Sequence, residues 1–221
     1  RTLTYGTDAS LYRLTPKLVV RVDSEEDMAR ILPLARQHRV PVTFRAAGTS
    51  LSGQAITDSV LLVIGEAWRH WRIARDASRI SLQPAVIGGH ANRLLAPHGR
   101  KIGPDPASLN ACHVGGIAAN NASGMCCGTA QNSYRTLDSM RVILADGTLL
   151  DTGDPESRAA FMRSHARLIE GLNELGARTR ADSALAERIR EKFRIKNTCG
   201  YSLNALVDFE DPIDILQHLM I

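Results

Sequence analysis

The residues best suited to chemistry in this chain form one short stretch, Arg45–Ala55. Its two glycines allow the backbone to turn sharply and to approach a ligand closely, and its hydroxyl side chains add short donors. Converging backbone N–H groups beside an arginine suit a pyrophosphate, so the stretch predicts a bound nucleotide cofactor. An ordinary surface turn is the alternative interpretation of the same composition. The residues expected to contact the cofactor are Arg45, Ala47, Gly48, Thr49, Ser50, Leu51, Gly53 and Gln54.

A second stretch, His113–Gly128, consists of small residues with four glycines and the paired asparagines Asn120 and Asn121. Such a segment cannot form a deep core by itself, and it lets a ligand approach the backbone closely. Tight packing of a helix on a strand is the alternative for the adjacent glycines Gly115 and Gly116. The presence of both stretches in one chain favours the ligand interpretation.

Four motifs that occur in order along the chain together resemble a known family. They are Arg45–Ala55, Pro104–Pro106, Val114–Gly124 and Val142–Gly147. The set resembles the flavin-binding domain of the vanillyl-alcohol oxidase and p-cresol methylhydroxylase family. Two further stretches, Ser123–Gly128 and Lys196–Asn204, are similar to the FAD-linked D-lactate, glycolate and D-2-hydroxyglutarate dehydrogenases, particularly the large bacterial forms with an appended iron–sulfur half.

The resemblance implies an α+β, two-lobed FAD-binding domain of the p-cresol methylhydroxylase type. A small β-α-β lobe at about residues 15–57 would precede a larger lobe at about 58–153, in which helices flank a mixed or antiparallel sheet. Residues 154–221 would form a helical extension. The chain begins without methionine and stops in an apolar run, so we expect a fragment that is truncated before a substrate-binding cap domain.

The same resemblance implies FAD as the cofactor and assigns a wall for its flavin ring. A rigid turn at Pro104–Pro106 and a structural role for His113 are the alternatives at those positions. Relatives with covalently attached flavin often carry a histidine in the first stretch where this chain has Thr49, so we expect noncovalent FAD. The further residues expected to contact the cofactor are Pro104, His113, Val114, Gly115, Gly116, Asn120, Ser123, Gly124 and Gly128.

The implied reaction is oxidation of a D-2-hydroxy acid to the 2-keto acid, with hydride transfer to FAD. In the resembled family the substrate-binding arginine and the base lie in the cap, so no catalytic residue is assigned in this chain. The partners would be a small 2-hydroxy acid and an electron acceptor, and any iron–sulfur cluster would belong to the missing remainder. A nicotinamide-dependent sugar-nucleotide reductase on the same fold and a noncatalytic scaffold lobe with a vestigial flavin site are the alternatives.

Composition and charge exclude several other classes of protein. Hydrophobic residues make up 44% of the 221 residues, yet no apolar run approaches the ~20 residues that cross a bilayer. The net charge of +4 suits an anionic cofactor, and no nucleic-acid motif accompanies it. No G-x-S-x-G turn is present, which disfavours a serine hydrolase. Without a visible leader we expect a cytoplasmic protein, which a quinone acceptor would bring to the inner membrane face.

Two residue groups have a structural and a functional interpretation. The basic stretch Arg188–Lys196 includes glutamates and is interpreted as a solvated helix end, with an anion-attracting rim as the alternative. The four cysteines have no C-x-x-C spacing, so we expect reduced thiols and no metal. They are Cys112, Cys126, Cys127 and Cys199.

Apolar patterning predicts a β-α-β beginning to the chain. Ser24 and Asp27 form a capping pattern that begins a helix at Glu25–His38. The near-continuous apolar composition of Val60–Ile64 is typical of a strand that is covered on both faces. We expect the last two strands to extend the same sheet. The predicted strands are Leu18–Val22, Pro41–Phe44, Val60–Ile64, Trp71–Ala74 and Arg79–Leu82.

Later elements are predicted from turn residues and helical spacing. A helix at Gly88–His98 should stop at Gly99. Asp146 and Gly147 predict a two-residue turn in a hairpin that spans Ser139–Thr152. One helix should span Glu156–Leu175, with one apolar face. That face would contain Phe161, Leu168, Leu172 and Leu175.

Overall fold

The computed structural model describes residues 2–197 and 201–221. These residues form two compact units. Unit 1 contains residues 2–102, 106–117 and 143–148, and unit 2 contains residues 103–105, 118–142, 149–197 and 201–221. None of the helices in the described ranges is long and apolar enough to cross a membrane.

Unit 1 contains a parallel three-stranded sheet with the strand order β1-β3-β2. In the register of this sheet, Leu18 of β1 and Val42 of β2 both align with Val60 of β3. The central strand β3 is covered on both faces, because its adjacent residues Leu61 and Leu62 are both fully buried. The strands are β1 (Leu18–Val22), β2 (Val42–Arg45) and β3 (Val60–Ile64).

Helix α1 (Glu25–Gln37) connects β1 with β2 and confirms the predicted β-α-β beginning. The Ser24 hydroxyl accepts a hydrogen bond from the Asp27 backbone N–H at 3.0 Å, as the capping pattern predicted. Met28 and Leu32 point from this helix into a core cluster with Val22 and Leu62. The central strand of this sheet, β3, lies beyond residue 57, where the first lobe was expected to end. The predicted division into residues 15–57, 58–153 and 154–221 stays a prediction.

Strands β4 (Trp71–Ile73) and β5 (Ile80–Leu82) pair with each other in antiparallel fashion. They form a separate two-stranded sheet, so the expectation that they extend the first sheet was wrong. The chain leaves the first sheet at a turn after β3. There the Trp68 indole N–H donates to the Val22 carbonyl at 2.9 Å, which connects the turn to the end of β1.

Helix α2 (Gly88–Leu95) continues into a 3₁₀ turn at Ala96–His98 and stops at Gly99, which has φ 65°. The predicted helix and its glycine stop are therefore confirmed. Short helices α3 (Val114–Ala119) and α4 (Ser133–Thr136) follow in the chain.

Strands β6 (Arg141–Ile143) and β7 (Leu149–Asp151) form the predicted hairpin. Its turn differs from the expected two-residue type. The Gly147 N–H donates to the Leu144 carbonyl at 2.8 Å, and Gly147 has φ 85°. Ala145 and Asp146 therefore form the centre of the turn, and the glycine follows them as a third loop residue in the left-handed region.

The C-terminal helices belong to unit 2 and correct the prediction of one long helix. The structure has α5 (Pro155–Ser164) and α6 (Ala166–Ala181), with a break at His165. This break resets the helical phase, so Leu168 and Leu175 are 40% and 45% exposed while Ile169 is buried. The remaining helices are α7 (Ser183–Phe193), α8 (Ala205–Asp208) and α9 (Pro212–Leu219).

Candidate functional site

The first candidate stretch begins where β2 ends, in unit 1. Arg45 is the last residue of that strand, and Gly48 and Gly53 both adopt left-handed backbone conformations, with φ of 69° and 71°. The stretch also contacts the N-terminal segment, because the Ala9 N–H donates to the Gly48 carbonyl at 3.1 Å. We refer to Arg45–Ala55 as the first loop.

The Arg45 side chain binds backbone carbonyl groups of the protein itself. Its Nη1 donates to the Thr7 carbonyl at 2.8 Å and to the Ala55 carbonyl at 3.3 Å. Arg45 therefore links the two ends of the first loop to the N-terminal segment, and it contributes a fixed positive charge at the base of the loop.

The backbone N–H groups of the first loop are the main donors that a ligand can use. Among the described residues, no hydrogen-bond partner is found for the N–H groups of Ala47, Gly48, Thr49, Ser50 and Leu51. Successive backbone N–H groups in a turn that includes a left-handed residue bind anions well. The loop therefore offers a row of donors that fits a pyrophosphate.

Two predicted contact side chains, Ser50 and Gln54, bond to each other. The Ser50 hydroxyl donates to Gln54 Oε1 at 2.8 Å and accepts from the Gln54 N–H at 3.3 Å. It also accepts from the Ser52 N–H at 3.1 Å. These bonds close the second half of the loop, so a cofactor contact from either side chain has to share them. Leu51 is 80% exposed.

Asp8 contacts the first loop from the N-terminal segment, and sequence reasoning missed it. Its carboxylate accepts from the Ser10 N–H at 2.8 Å and from the Ala55 N–H at 3.4 Å. Burial acts to raise the pKa of Asp8, but the bonds from Ser10 and Ala55 and the charge of Arg45 outweigh it, so this pKa lies below its ordinary value. No local pattern could have connected Asp8 with a loop forty residues away.

The beginning of the second candidate stretch also lies in unit 1. The Val114 N–H donates to the Val86 carbonyl and the Gly115 N–H donates to the Pro84 carbonyl, at 2.8 and 3.0 Å. A Cβ atom on Gly115 would be 2.7 Å from the Pro84 Cβ atom, so the missing side chain allows Gly115 to pack closely on Pro84. The adjacent Gly116 is different, because a Cβ atom there would meet only the Ala46 Cβ atom, at 3.7 Å.

Gly116 therefore brings the second stretch next to the first loop. A flat ligand can approach at this position, as the sequence predicted for a flavin wall.

His113 has an unusual buried polar atom. Its Nδ1 is buried and has no hydrogen-bond partner among the described residues. Burial lowers the pKa of the imidazole, and the positive charge of Arg69 lowers this pKa further, so the fold disfavours the protonated ring. A buried polar atom without a partner costs free energy, and a ligand group that bonded it would remove that cost.

The remaining predicted contacts belong to unit 2. Pro104 is buried, Gly128 has φ 54°, and the Ser123 hydroxyl donates to the Asn121 carbonyl at 3.4 Å. A Cβ atom on Gly124 would be 1.4 Å from the Asp105 carbonyl oxygen. Asn120 is half-buried and has a partner within the protein. Sequence reasoning missed one contact of Gly124. The Lys196 ammonium donates to the Gly124 carbonyl at 2.7 Å.

The basic stretch and the cysteines are explained by the structure where it describes them. Arg188, Arg190 and Lys192 are exposed on α7, which agrees with a solvated helix. Cys112, Cys126 and Cys127 are free thiols, and Cys199 lies outside the described residues, as do Thr198 and Gly200 of the predicted motif. In the part of the chain that is described, no group of three metal-ligating side chains is found.

Comparison with known proteins identifies the fold and the family. The chain matches the family described as the FAD binding domain over residues 16–153. It is 36% identical over 146 residues to the glycolate oxidase subunit GlcD of Escherichia coli (strain K12), a match that covers 65% of this chain and 29% of that protein. It is 30% identical over 154 residues to the D-2-hydroxyglutarate dehydrogenase of the same strain, which covers 68% of this chain and 15% of that protein.

A solved structure of alkyldihydroxyacetonephosphate synthase superposes with a TM-score of 0.56 at 20% identity, over 72% of this chain and 32% of that one. The chain thus spans less than a third of the length of these proteins. The structural likeness agrees with the predicted fold, an α+β FAD-binding domain of the p-cresol methylhydroxylase type. The donor row of the first loop, the small residue Gly116, and His113 Nδ1, which has no partner in the part of the chain that is described, fit a flavin nucleotide. By its sequence match over residues 16–153, the chain belongs to the family of FAD binding domains.

Proposed function

We propose that this chain is the FAD-binding portion of an enzyme that oxidises a D-2-hydroxy acid, such as D-lactate, glycolate or D-2-hydroxyglutarate, to the 2-keto acid. The observation that carries the proposal is the row of backbone N–H groups from Ala47 to Leu51, for which no hydrogen-bond partner is found within residues 2–197 and 201–221. The names of the relatives support the substrate class, since one is a glycolate oxidase subunit and another is a D-2-hydroxyglutarate dehydrogenase.

In this proposal the first loop binds the pyrophosphate of FAD. The backbone N–H groups of Ala47, Gly48, Thr49, Ser50 and Leu51 donate to the phosphate oxygens, and Gly53 allows a close approach of the backbone. Arg45 acts mainly by holding the loop, since its guanidinium group already binds the Thr7 and Ala55 carbonyls. Gln54 is proposed to contact the cofactor from the end of the loop.

The second set of residues is proposed to contact the flavin ring and the ribityl chain. The imidazole of His113 offers its buried Nδ1 to a polar edge of the flavin. When it is bound, FAD supplies the redox chemistry by accepting a hydride from the substrate carbon. The proposed contact residues are Pro104, His113, Val114, Gly115, Gly116, Asn120, Ser123, Gly124 and Gly128.

We assign no substrate-binding arginine and no catalytic base to this chain. These groups, the electron acceptor site and any iron–sulfur cluster are proposed to lie in other parts of the gene product. FAD is proposed to bind noncovalently through the first loop, because Thr49 cannot form the histidyl flavin bond. Acid precipitation should therefore leave the pellet colourless and release the flavin into the supernatant.

The cofactor proposal is tested by titrating the purified 221-residue chain with FAD and recording the visible absorption and the flavin fluorescence. We expect shifted flavin bands and quenched fluorescence at a stoichiometry of about one, because a binding site removes the ring from water. Spectra of free FAD and of riboflavin serve as controls. If the chain takes up no FAD, the result favours a scaffold lobe instead.

The substrate class is tested in the complete gene product that contains this chain. Under anaerobic conditions D-lactate, glycolate or D-2-hydroxyglutarate should bleach the flavin band near 450 nm, and the L-enantiomers of lactate and 2-hydroxyglutarate serve as matched controls. Bleaching by NADH or NADPH alone would instead support the nicotinamide-dependent reductase.

A further inference from the structure

Lys196 lies outside the region that matches the FAD-binding family, yet it contacts the second candidate stretch. Its ammonium group donates to the Gly124 carbonyl at 2.7 Å, across 72 residues of sequence. Both residues belong to unit 2, whereas the family match ends at residue 153. Lys196 is an exposed residue, and a hydrogen bond from a charged donor is about twice as strong as one between neutral groups.

Gly124 is held from a second side by Asp105. Its Cα atom lies so close to the Asp105 backbone that a Cβ atom would be 1.4 Å from the carbonyl oxygen and 2.5 Å from the carbonyl carbon. Lys196 therefore binds the carbonyl of a residue whose Cα atom already packs against another backbone segment. Pro104, which is a proposed flavin contact like Gly124, directly precedes Asp105. The position of Gly124 relative to Pro104 thus depends on both contacts.

The residues on each side of Lys196 line a cavity that is shared with the end of the second stretch. Ile195 and Asn197 line a small cavity together with Asn121 and Thr129. Of these residues, Lys196 bonds to the segment 121–129 and its two neighbours share a cavity with it. Cys127, within this segment, is buried, and its thiol lies 3.8 Å from the Gly124 carbonyl oxygen that Lys196 binds.

We propose that Lys196 is a positioning residue for the cofactor. It holds Gly124 against Asp105 and thereby keeps the segment 123–128 in the shape that the flavin contacts require. This inference rests on the proposed function, because it assumes that the segment contacts FAD. Lys196 itself contacts the Gly124 carbonyl and is assigned no role in the chemical step.

The first test compares Lys196→Met with Lys196→Arg by FAD titration of the 221-residue chain. We expect Lys196→Met to weaken FAD binding about tenfold and Lys196→Arg to stay within about threefold of the wild type, since arginine keeps a charged donor. Lys192→Met removes a neighbouring exposed lysine and should bind FAD normally. The melting temperatures of the cofactor-free variants should agree with the wild type within about 2 °C, which separates positioning from folding.

The second test measures local opening of the segment 123–128 in the absence of FAD. In a Cys126→Ser, Cys199→Ser background, the thiols of Cys127 and Cys112 are both buried and serve as reporter and internal reference. We expect Lys196→Met to raise the rate of maleimide labelling at Cys127 roughly tenfold, because loss of the contact lets the segment open locally. Labelling at Cys112 should not change, and peptide mass spectrometry identifies the labelled thiol.

The outcomes separate this inference from the proposed function. Unchanged labelling at Cys127 in Lys196→Met overturns the positioning role, as does faster labelling with unchanged FAD affinity. A wild-type chain that binds no FAD overturns the proposed function and the cofactor role of Lys196 with it, whatever the thiol rates show. Weaker FAD binding together with faster Cys127 labelling supports the inference, and recovery of both in Lys196→Arg assigns the effect to the charged donor.

Discussion

The guanidinium group of Arg45 lies against the Cα atom of Gly48. A Cβ atom built on Gly48 would be 2.5 Å from Nη2 of Arg45 and 2.8 Å from its Cζ atom. The guanidinium group cannot move away freely, because it donates to the carbonyls of Thr7 and Ala55. The first loop therefore needs a glycine at position 48 for two separate reasons, which are the space beside Arg45 and the left-handed φ of 69°.

We expect Gly48→Ala to weaken FAD binding about tenfold or more and to lower the free energy of unfolding by ~1–2 kcal/mol. A left-handed conformation alone costs an alanine about this much, and the new methyl group also displaces Arg45. FAD titration and urea unfolding of the same preparation measure the two effects.

Gly171→Ala is the matched control for this substitution. Gly171 lies within α6, and a Cβ atom there meets nothing within 4 Å. This variant should gain up to ~1 kcal/mol from helix propensity and should bind FAD like the wild type. If Gly48→Ala also bound FAD like the wild type, the first loop would not be the pyrophosphate site.

The adjacent glycines Gly115 and Gly116 should respond in opposite ways to substitution. Gly115→Ala places a Cβ atom 2.7 Å from that of Pro84, so we expect a loss of ~1–3 kcal/mol in the free energy of unfolding. A Cβ atom at Gly116 makes only an ordinary contact with Ala46, at 3.7 Å, so in Gly116→Leu the fold should be retained while the side chain blocks the cofactor. Thermal unfolding and FAD titration of both variants distinguish the two roles. A Gly116→Leu chain that bound FAD normally would remove Gly116 from the flavin wall.

Leu61 and Leu62 should contribute about equally to stability although they point to opposite faces of the first sheet. Both are fully buried on the central strand, so Leu61→Ala and Leu62→Ala should each cost ~2–5 kcal/mol in urea unfolding. Leu34→Ala is the control, because Leu34 is 55% exposed, and we expect a change within about 0.5 kcal/mol. A small effect at one of the two strand positions would show that this face of the sheet is loosely packed.

The sequence predicted those elements whose signals are local. The apolar run of β3 indicates burial on both faces, and the Ser24 cap and the Gly99 stop indicate the ends of helices. Each of these signals acts within a few residues, so the sequence alone shows it. The donor row of the first loop could be predicted for the same reason. Its hydrogen-bonding capacity follows from the glycines and the short polar residues of one segment.

Contacts between distant segments could not be predicted in this way. Arg45 binds Thr7 across 38 residues and Lys196 binds Gly124 across 72, and neither spacing leaves a periodic signal in the sequence. The break between α5 and α6 at His165 was not predicted, for a different reason. Apolar residues continue at helical spacing through it, so only the exposed positions of Leu168 and Leu175 reveal the change of phase.

Acid should destabilise the chain partly through His113. Burial and the charge of Arg69 lower the pKa of this imidazole in the folded state, so between the folded and unfolded pKa values the unfolded chain binds more protons. The free energy of unfolding should therefore fall as the pH drops below about 6.5. His113→Gln should lose less stability between pH 7 and pH 5 in urea unfolding, whereas the exposed control His98→Gln should follow the wild type. His218, whose pKa burial also lowers, keeps part of the acid sensitivity in both variants. An unchanged decline in His113→Gln would mean that its imidazole is not held neutral by the fold.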